Sequence, residues 1–166
     1  LQERFGPVIV GFDSVVERAV RLVRTFRILE LPVIVTEQYP KGLGRSVPAL
    51  LEAAGGVSPH EKTRFSSCGS DEVAERLSSL SPRQVVVCGV ETHVCVSQTA
   101  HDLLERGLQV HVAADAVGSR RPEDRDYALR RMERAGAVLT TSEAAAFELL
   151  RDARHPCFKD VQALFK

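Results

Sequence analysis

Short runs rich in β-branched residues alternate along the chain with longer stretches whose apolar positions recur every three or four residues. Val85, Val86, Val87 and Cys88 form an unbroken run of the first kind, which predicts a strand buried on both faces, as at the centre of a parallel sheet. Residues 31–35, 108–113 (running out at Asp115) and 137–141 read the same way. Between them, Val15, Val16, Ala19, Val20, Leu22, Val23, Phe26 and Ile28 put one apolar stripe on a helix over residues 14–29, capped by Ser14 or Asp13. Val73, Ala74, Leu77 and Leu80 predict a helix over 70–80, closed by Pro82. Val96, Ala100, Leu103 and Leu104 predict another that begins near Val94. Residues 122–135 form a charged helix with Tyr127, Leu129 and Met132 turned inward and Gly136 stopping it; further helices start at Ser142 and Pro156, and a short one spans 50–54. Residues 36–48, with Pro40, Gly42 and Gly44, make a loop long enough to cover a site, and 57–64 is a strand or loop.

Strands alternating with helices imply right-handed βαβ units, because parallel neighbours need crossover connections. The expected fold is α/β, a three-layer α/β/α arrangement with a central, mainly parallel sheet of Rossmann-like topology. Ligands in such folds sit at the carboxyl ends of the strands. The polar residues after Val35, around Lys62, after Cys88 and at Asp115 are therefore expected to meet at one edge.

The length of 166 residues with 44% hydrophobic positions suits one domain spanning residues 1–166. Twenty-two basic residues balance 22 acidic ones, so no nucleic acid and no membrane surface is expected as a partner. No stretch reaches the roughly 18 apolar residues of a membrane span, and the start lacks a basic segment leading into an apolar core, so a cytoplasmic, intracellular protein is expected. Cys68, Cys88, Cys95 and Cys157 lie far apart without a C-x-x-C pair, which argues for free thiols rather than a zinc knuckle or dithiol motif.

Cys95 carries the chemical interest. It follows the polar corner Glu91-Thr92-His93 at a strand-to-helix junction, where free N–H groups and the positive end of a helix dipole favour a thiolate. Cys88, inside the apolar run, reads as a core residue. Lys62 has two readings: a solvated surface lysine, or an ammonium near Cys95 that favours the thiolate and developing negative charge. His93 is disfavoured as a base, because residues two apart diverge at such a corner. Arg120 and Arg121 read as a solvated pair.

The stretch Gly89-Val90-Glu91-Thr92-His93-Val94-Cys95-Val96 resembles the nucleophile motif of isochorismatase-like cysteine hydrolases, a family that includes nicotinamidases and carbamoylsarcosine amidases. Lys62-Thr63-Arg64-Phe65-Ser66 is similar to the segment holding the family's catalytic lysine. Thr36-Glu37-Gln38-Tyr39-Pro40-Lys41-Gly42-Leu43-Gly44 resembles a loop of its isochorismatase-domain-containing branch. The similarity continues through Asp115, Thr141-Ser142-Glu143 and His155-Pro156-Cys157-Phe158-Lys159. It implies a Cys-Lys-Asp triad in which an aspartate takes the thiol proton, Cys95 attacks a carbonyl, Lys62 stabilises charge and water resolves a thioester. It also implies a cis Val90–Glu91 bond, with the backbone N–H groups of Glu91 and Cys95 as oxyanion donors, and assembly as a homo-oligomer, a dimer or larger.

Two departures from the family pattern stand out. The family's aspartate ends a first strand in an Asp-x-Gln pattern, which here falls immediately before Leu1; both that aspartate and its strand are expected to precede Leu1. The nicotinamidase branch carries an aspartate and two histidines as metal ligands after the second strand, whereas here no histidine occurs before His60. No metal and no cofactor is therefore expected. The expected function is metal-independent hydrolysis of a small-molecule amide or related C–N bond, with Tyr39, Phe65 and Thr92 as candidate pocket residues. The competing expectations are a non-catalytic oligomeric interaction protein with the same fold and a redox-sensing thiol, for which spacing names no resolving cysteine. Cys95 argues mildly against isochorismate hydrolysis itself, which in that branch does not rely on the cysteine.

Overall fold

A computed structural model describes residues 1–166. Helix α1 (Phe12–Ile28) buries Phe12, Val15, Ala19, Leu22 and Val23, the stripe its spacing predicts. It begins before Ser14, behind Gly11 at φ +66°, so a glycine able to adopt the left-handed conformation replaces the expected side-chain cap. Strand β1 (Thr36–Gln38) follows, then the short helices α2 (Pro40–Leu43) and α3 (Pro48–Ala53), and strand β2 (His60–Lys62). Helix α4 (Asp71–Leu80) leads into β3 (Gln84–Val90), a π-helical turn (Thr92–Val96) and α5 (Ser97–Glu105). Strand β4 (Gln109–Gly118), α6 (Pro122–Arg134), β5 (Val138–Thr140), α7 (Ser142–Leu150) and α8 (Phe158–Ala163) complete the order.

All strand pairs are parallel, in two hydrogen-bonded pieces: β1 beside β2, and β3-β4-β5. Alternation along the strands sends side chains to opposite faces. Val86 and Cys88 of β3 and Ala113 and Ala116 of β4 pack with Ala19, Leu22 and Val23 of α1, Leu50 and Ala53 of α3 and Ala145 of α7. Val85 and Val87, with Val110, Val112 and Val117, face Ala100 and Leu103 of α5 and Leu129 and Met132 of α6. These two cores on either side of the strands make the three-layer α/β/α fold. Fully burying a residue such as Leu103 or Met132 stabilises it by about 1.5–3 kcal/mol. Leu1 packs into the first core and lies beside Glu37 and Lys62 of one piece and Cys88 of the other.

Several elements differ from the pattern-based expectation. Residues 31–35 belong to no regular element, and the strand ladder starts only at Thr36, within what reads as loop; the Val35 carbonyl accepts from the His60 N–H at 2.9 Å. Strand β4 does not run out at Asp115: Val87 pairs with Val112 but Gly89 with Val117, so β4 bulges between them and continues to Gly118. Asp115, inside the bulge, accepts the Ser142 N–H at 2.7 Å and its hydroxyl at 2.6 Å, tying down the start of α7. Tyr127 does not turn inward. It is 70% exposed, stacked beneath Arg130, because the apolar face of α6 is complete with Ala128, Leu129 and Met132.

Candidate active site

Three carboxyl-terminal strand ends build the site. Strand β3 ends at Val90, the Val90–Glu91 peptide is cis, and the chain turns through Thr92–Val96 with the Glu91 carbonyl accepting both the Val94 and Val96 N–H groups at 3.1 Å. The second of these spans five residues, a π-type turn that widens the start of the helix. Cys95 lies in that turn, just ahead of α5. The Glu91 N–H makes no hydrogen bond within the chain, a donor left open beside the cysteine's turn.

Strand β2 supplies Lys62. The β1–β2 register sets Lys62 opposite Gln38, and the Lys62 ammonium donates to the Gln38 Oε1 at 2.7 Å, the Phe65 carbonyl at 2.7 Å and the Arg64 carbonyl at 3.1 Å. Its three protons are thus aimed by three acceptors. Lys62 is only 8% exposed; burial holds its pKa below 10.5, and the neighbouring Cys95 pulls it back up. Burial pushes the Cys88 thiol up to about 11.

A cleft of about 340 Å³ opens onto Cys95. Gln38, Glu91 and Arg120 form its polar wall with Arg4, and Phe5, Val8, Leu43, Phe65 and Val94 its apolar one. A larger cleft of about 500 Å³, between the end of α1 and Cys157, contains none of the groups gathered around Cys95. Of the sequence-predicted residues, the structure brings Cys95, Lys62, Glu91 and Phe65 together. Tyr39 and Thr92 do not line the cleft. The Tyr39 ring is half exposed and lies over Gly42, and Thr92 opens the π-helical turn with its side chain fully buried and its hydroxyl unpartnered. His93 has partners of its own, with Nδ1 at 3.0 Å from the Ser119 hydroxyl and Nε2 at 3.9 Å from Asp124. No three His, Cys, Asp or Glu side chains are grouped to hold a metal ion.

Sequence reasoning missed three supporting residues. Arg120 is not simply solvated: its Nε donates to the Glu91 Oε2 at 2.9 Å and its backbone N–H approaches the same oxygen at 3.3 Å. Gln38 orients Lys62. Gln2 in turn brackets Gln38, accepting its N–H at 2.7 Å while donating to its carbonyl at 3.0 Å and to that of Gly44 at 2.7 Å. Only the Asp-x-Gln pattern hinted at Gln2, and nothing local marked the other two.

A family model described as Isochorismatase domain matches residues 1–144. The chain belongs to the isochorismatase family. Isochorismatase domain-containing protein 2 of Danio rerio is 48% identical over 165 residues, 99% of this chain and 82% of that protein. Among solved structures, one titled MAR1 ribonuclease from Caenorhabditis elegans is 48% identical with a TM-score of 0.94, covering 99% of this chain and 84% of that one. YcaC from Pseudomonas aeruginosa, described with hexane-2,5-diol and covalent acrylamide, is 27% identical with a TM-score of 0.90, over 98% of this chain and 84% of that one. YcaC of Escherichia coli, described as an octameric hydrolase of unknown specificity, is 26% identical with a TM-score of 0.92, over 99% and 82%. The family is one of hydrolases, and the parallel strands flanked by helices are its fold.

Proposed function

We propose that this protein is a metal-independent cysteine hydrolase that cleaves a small amide or related C–N bond. The observation that carries the reading is the meeting of Cys95, at the mouth of a cleft, with a buried Lys62 ammonium held by three oxygens. The Cys95 thiolate attacks the amide carbonyl carbon, and the carbonyl π electrons move onto oxygen. The N–H groups of Glu91 and Cys95 and the nearby Lys62 charge stabilise that oxyanion. Collapse breaks the C–N bond, and the amine leaves with the proton taken from the thiol. Water gives a proton to the same base and attacks the thioester, releasing the acid and returning Cys95. The family resemblance assigns the base to an aspartate.

The covalent acrylamide named for the Pseudomonas protein fits a fold that presents a reactive nucleophile, since a covalent adduct needs one. The octameric Escherichia protein supports a homo-oligomer here too. The test is an amide screen on full-length protein: turnover should vanish in Cys95→Ala with the fold retained, and iodoacetamide should block Cys95 before Cys88. Full turnover in Cys95→Ala would refute the mechanism, and absence of any turnover would favour an oligomeric interaction protein. The ribonuclease title of the Caenorhabditis structure supports a second reading, since Arg4 and Arg120 in the cleft wall are cations a phosphodiester would meet. The balanced charge of 22 against 22 weighs against it. RNA cleavage by wild type that is lost in Cys95→Ala would transfer the site from amides to RNA.

A further inference from the structure

The segment that follows Lys62 is fastened to the helix that follows Cys95. Ser66 is buried, its hydroxyl donates to the Asp102 carboxylate at 2.6 Å, and its Oγ accepts the Cys68 N–H at 3.2 Å to open a helical turn over Ser67–Gly69. The Ser67 N–H donates to the Thr99 Oγ1 at 2.9 Å, and Arg106 donates to the Cys68 carbonyl at 3.0 Å. Thr99, Asp102 and Arg106 thus grip residues 66–68. They follow Cys95 at steps of four, three and four residues, the spacing of one helical face. Immediately before the gripped residues stand Arg64 and Phe65, whose carbonyls accept from the Lys62 ammonium, and Phe65 also lines the cleft.

We infer that Asp102 and Thr99 are positioning residues for the reaction: α5 follows directly on the nucleophile's turn and, one and two turns further on, holds the segment whose carbonyls fix Lys62 beside it. The inference rests on the reading of Cys95 as nucleophile and Lys62 as the charge that assists it. Neither Asp102 nor Thr99 lines the cleft, so each acts through the backbone of residues 64–67. Cys95 and Lys62 come from the ends of β3 and β2, strands that do not pair with each other, so no shared ladder sets the spacing between them. Side chains from the nucleophile's own helix supply that tie, and the one from Ser66 to Asp102 is charge-assisted, the stronger kind of hydrogen bond. A purely structural role, capping the turn over Ser67–Gly69, uses only the Ser66 oxygen and leaves the Asp102 and Thr99 bonds without a purpose.

The test is a double-mutant cycle on the full-length protein, read by amide turnover and by the rate at which iodoacetamide alkylates Cys95, located by mass spectrometry. Alkylation senses the Lys62 charge because the thiolate is the form that reacts. Asp102→Ala should lower kcat on the order of ten- to hundredfold, as a small displacement of a positioned group does, and should slow alkylation. Asp102→Asn, whose amide oxygen still accepts the Ser66 hydroxyl, should recover most of both, and Thr99→Val should cause a smaller fall in the same direction. In a Lys62→Met background Asp102→Ala should change either rate by less than about twofold, although it lowers Tm in both backgrounds. Losses as large without Lys62 as with it, or wild-type rates in a folded Asp102→Ala protein, would overturn the inference. Should Asp102→Ala not fold, Ser66→Ala removes the donor of the same bond and runs through the same cycle. Absence of any amide turnover in wild type, or full turnover in Cys95→Ala, sinks the amide-hydrolase reading instead, and the alkylation rates then decide the positioning role alone.

Discussion

Replacing Lys62 with methionine separates what this residue does for the fold from what it does for the reaction. Methionine keeps most of the buried stem but leaves the Gln38 Oε1 and the Arg64 and Phe65 carbonyls without their donor. Each charge-assisted bond contributes about 1.5–3 kcal/mol, but the cost of burying the ammonium offsets much of the sum. A net loss of about 2 kcal/mol follows, which for a chain of this length lowers Tm by about 4–8 °C. The reaction should suffer far more: removing a fixed charge beside the developing oxyanion costs on the order of 10²–10³ in kcat, with KM little changed.

The pH dependence supplies an independent reading of the same residue. Burial lowers the Lys62 pKa from 10.5, with Cys95 acting against it, so the ammonium is lost at lower pH than in a free lysine. The rate should therefore fall as pH rises through the lowered value, and this descending limb should be missing in Lys62→Met. Stability moves the other way. Between the lowered value and 10.5 the unfolded chain binds the proton and the folded one does not, so wild type gains stability over that window and the variant does not. Steady-state amide hydrolysis and calorimetric unfolding across pH measure both. A fall in Tm with kcat unchanged would make Lys62 a structural pin for residues 62–65 and remove it from the chemistry.

Glu37 is fully buried and accepts the Ser46 N–H at 2.6 Å and Arg45 at 2.9 Å; burial pushes its carboxyl up, but these bonds outweigh it and hold the pKa below 4.5. Its contribution is complete above the unfolded value and is lost as pH falls through the folded one. Glu37→Gln should thus cost about 2 kcal/mol at neutral pH, with the gap to wild type closing in acid denaturation, and a gap independent of pH would refute this. Gly118→Ala places a Cβ at 2.9 Å from Ile9 and 3.2 Å from Val15, so it should destabilise by about 1–3 kcal/mol in urea unfolding and, because Gly118 pairs with Val90 behind the Glu91 corner, reduce kcat as well.

The reactive residues were readable because their signals are local. A β-branched run, a glycine and a helical stripe within residues 84–106 suffice to set Cys95 at a strand-to-helix corner, and Lys62 lies in a short segment similar to the family's lysine segment. The apolar, β-branched run of residues 31–35 reports burial, as at Val35, and does not mark where ladder pairing starts, which is Thr36. Tyr127 misled for a related reason, since helical spacing offers more apolar positions than α6 needs to cover its side of the sheet.

The residues that hold the site share a different property: their partners are distant in sequence. Gln2 meets Gln38, Gln38 meets Lys62, and Glu91 meets Arg120 across separations of 24 to 36 residues, and no periodicity encodes such pairs. They also divide by position in the fold. Gln38, Lys62 and Cys95 sit on strand ends or the turn behind one, held by ladder bonds and buried partners, which suits groups that must keep a fixed geometry. Arg4, Phe65 and Arg120 stand outside the strands, where substitutions disturb little packing. The reaction type is thereby tied to the sheet and the choice of substrate to the rim. A change at Arg120 should therefore alter substrate binding while leaving Cys95 in place to attack and Lys62 to stabilise the developing charge.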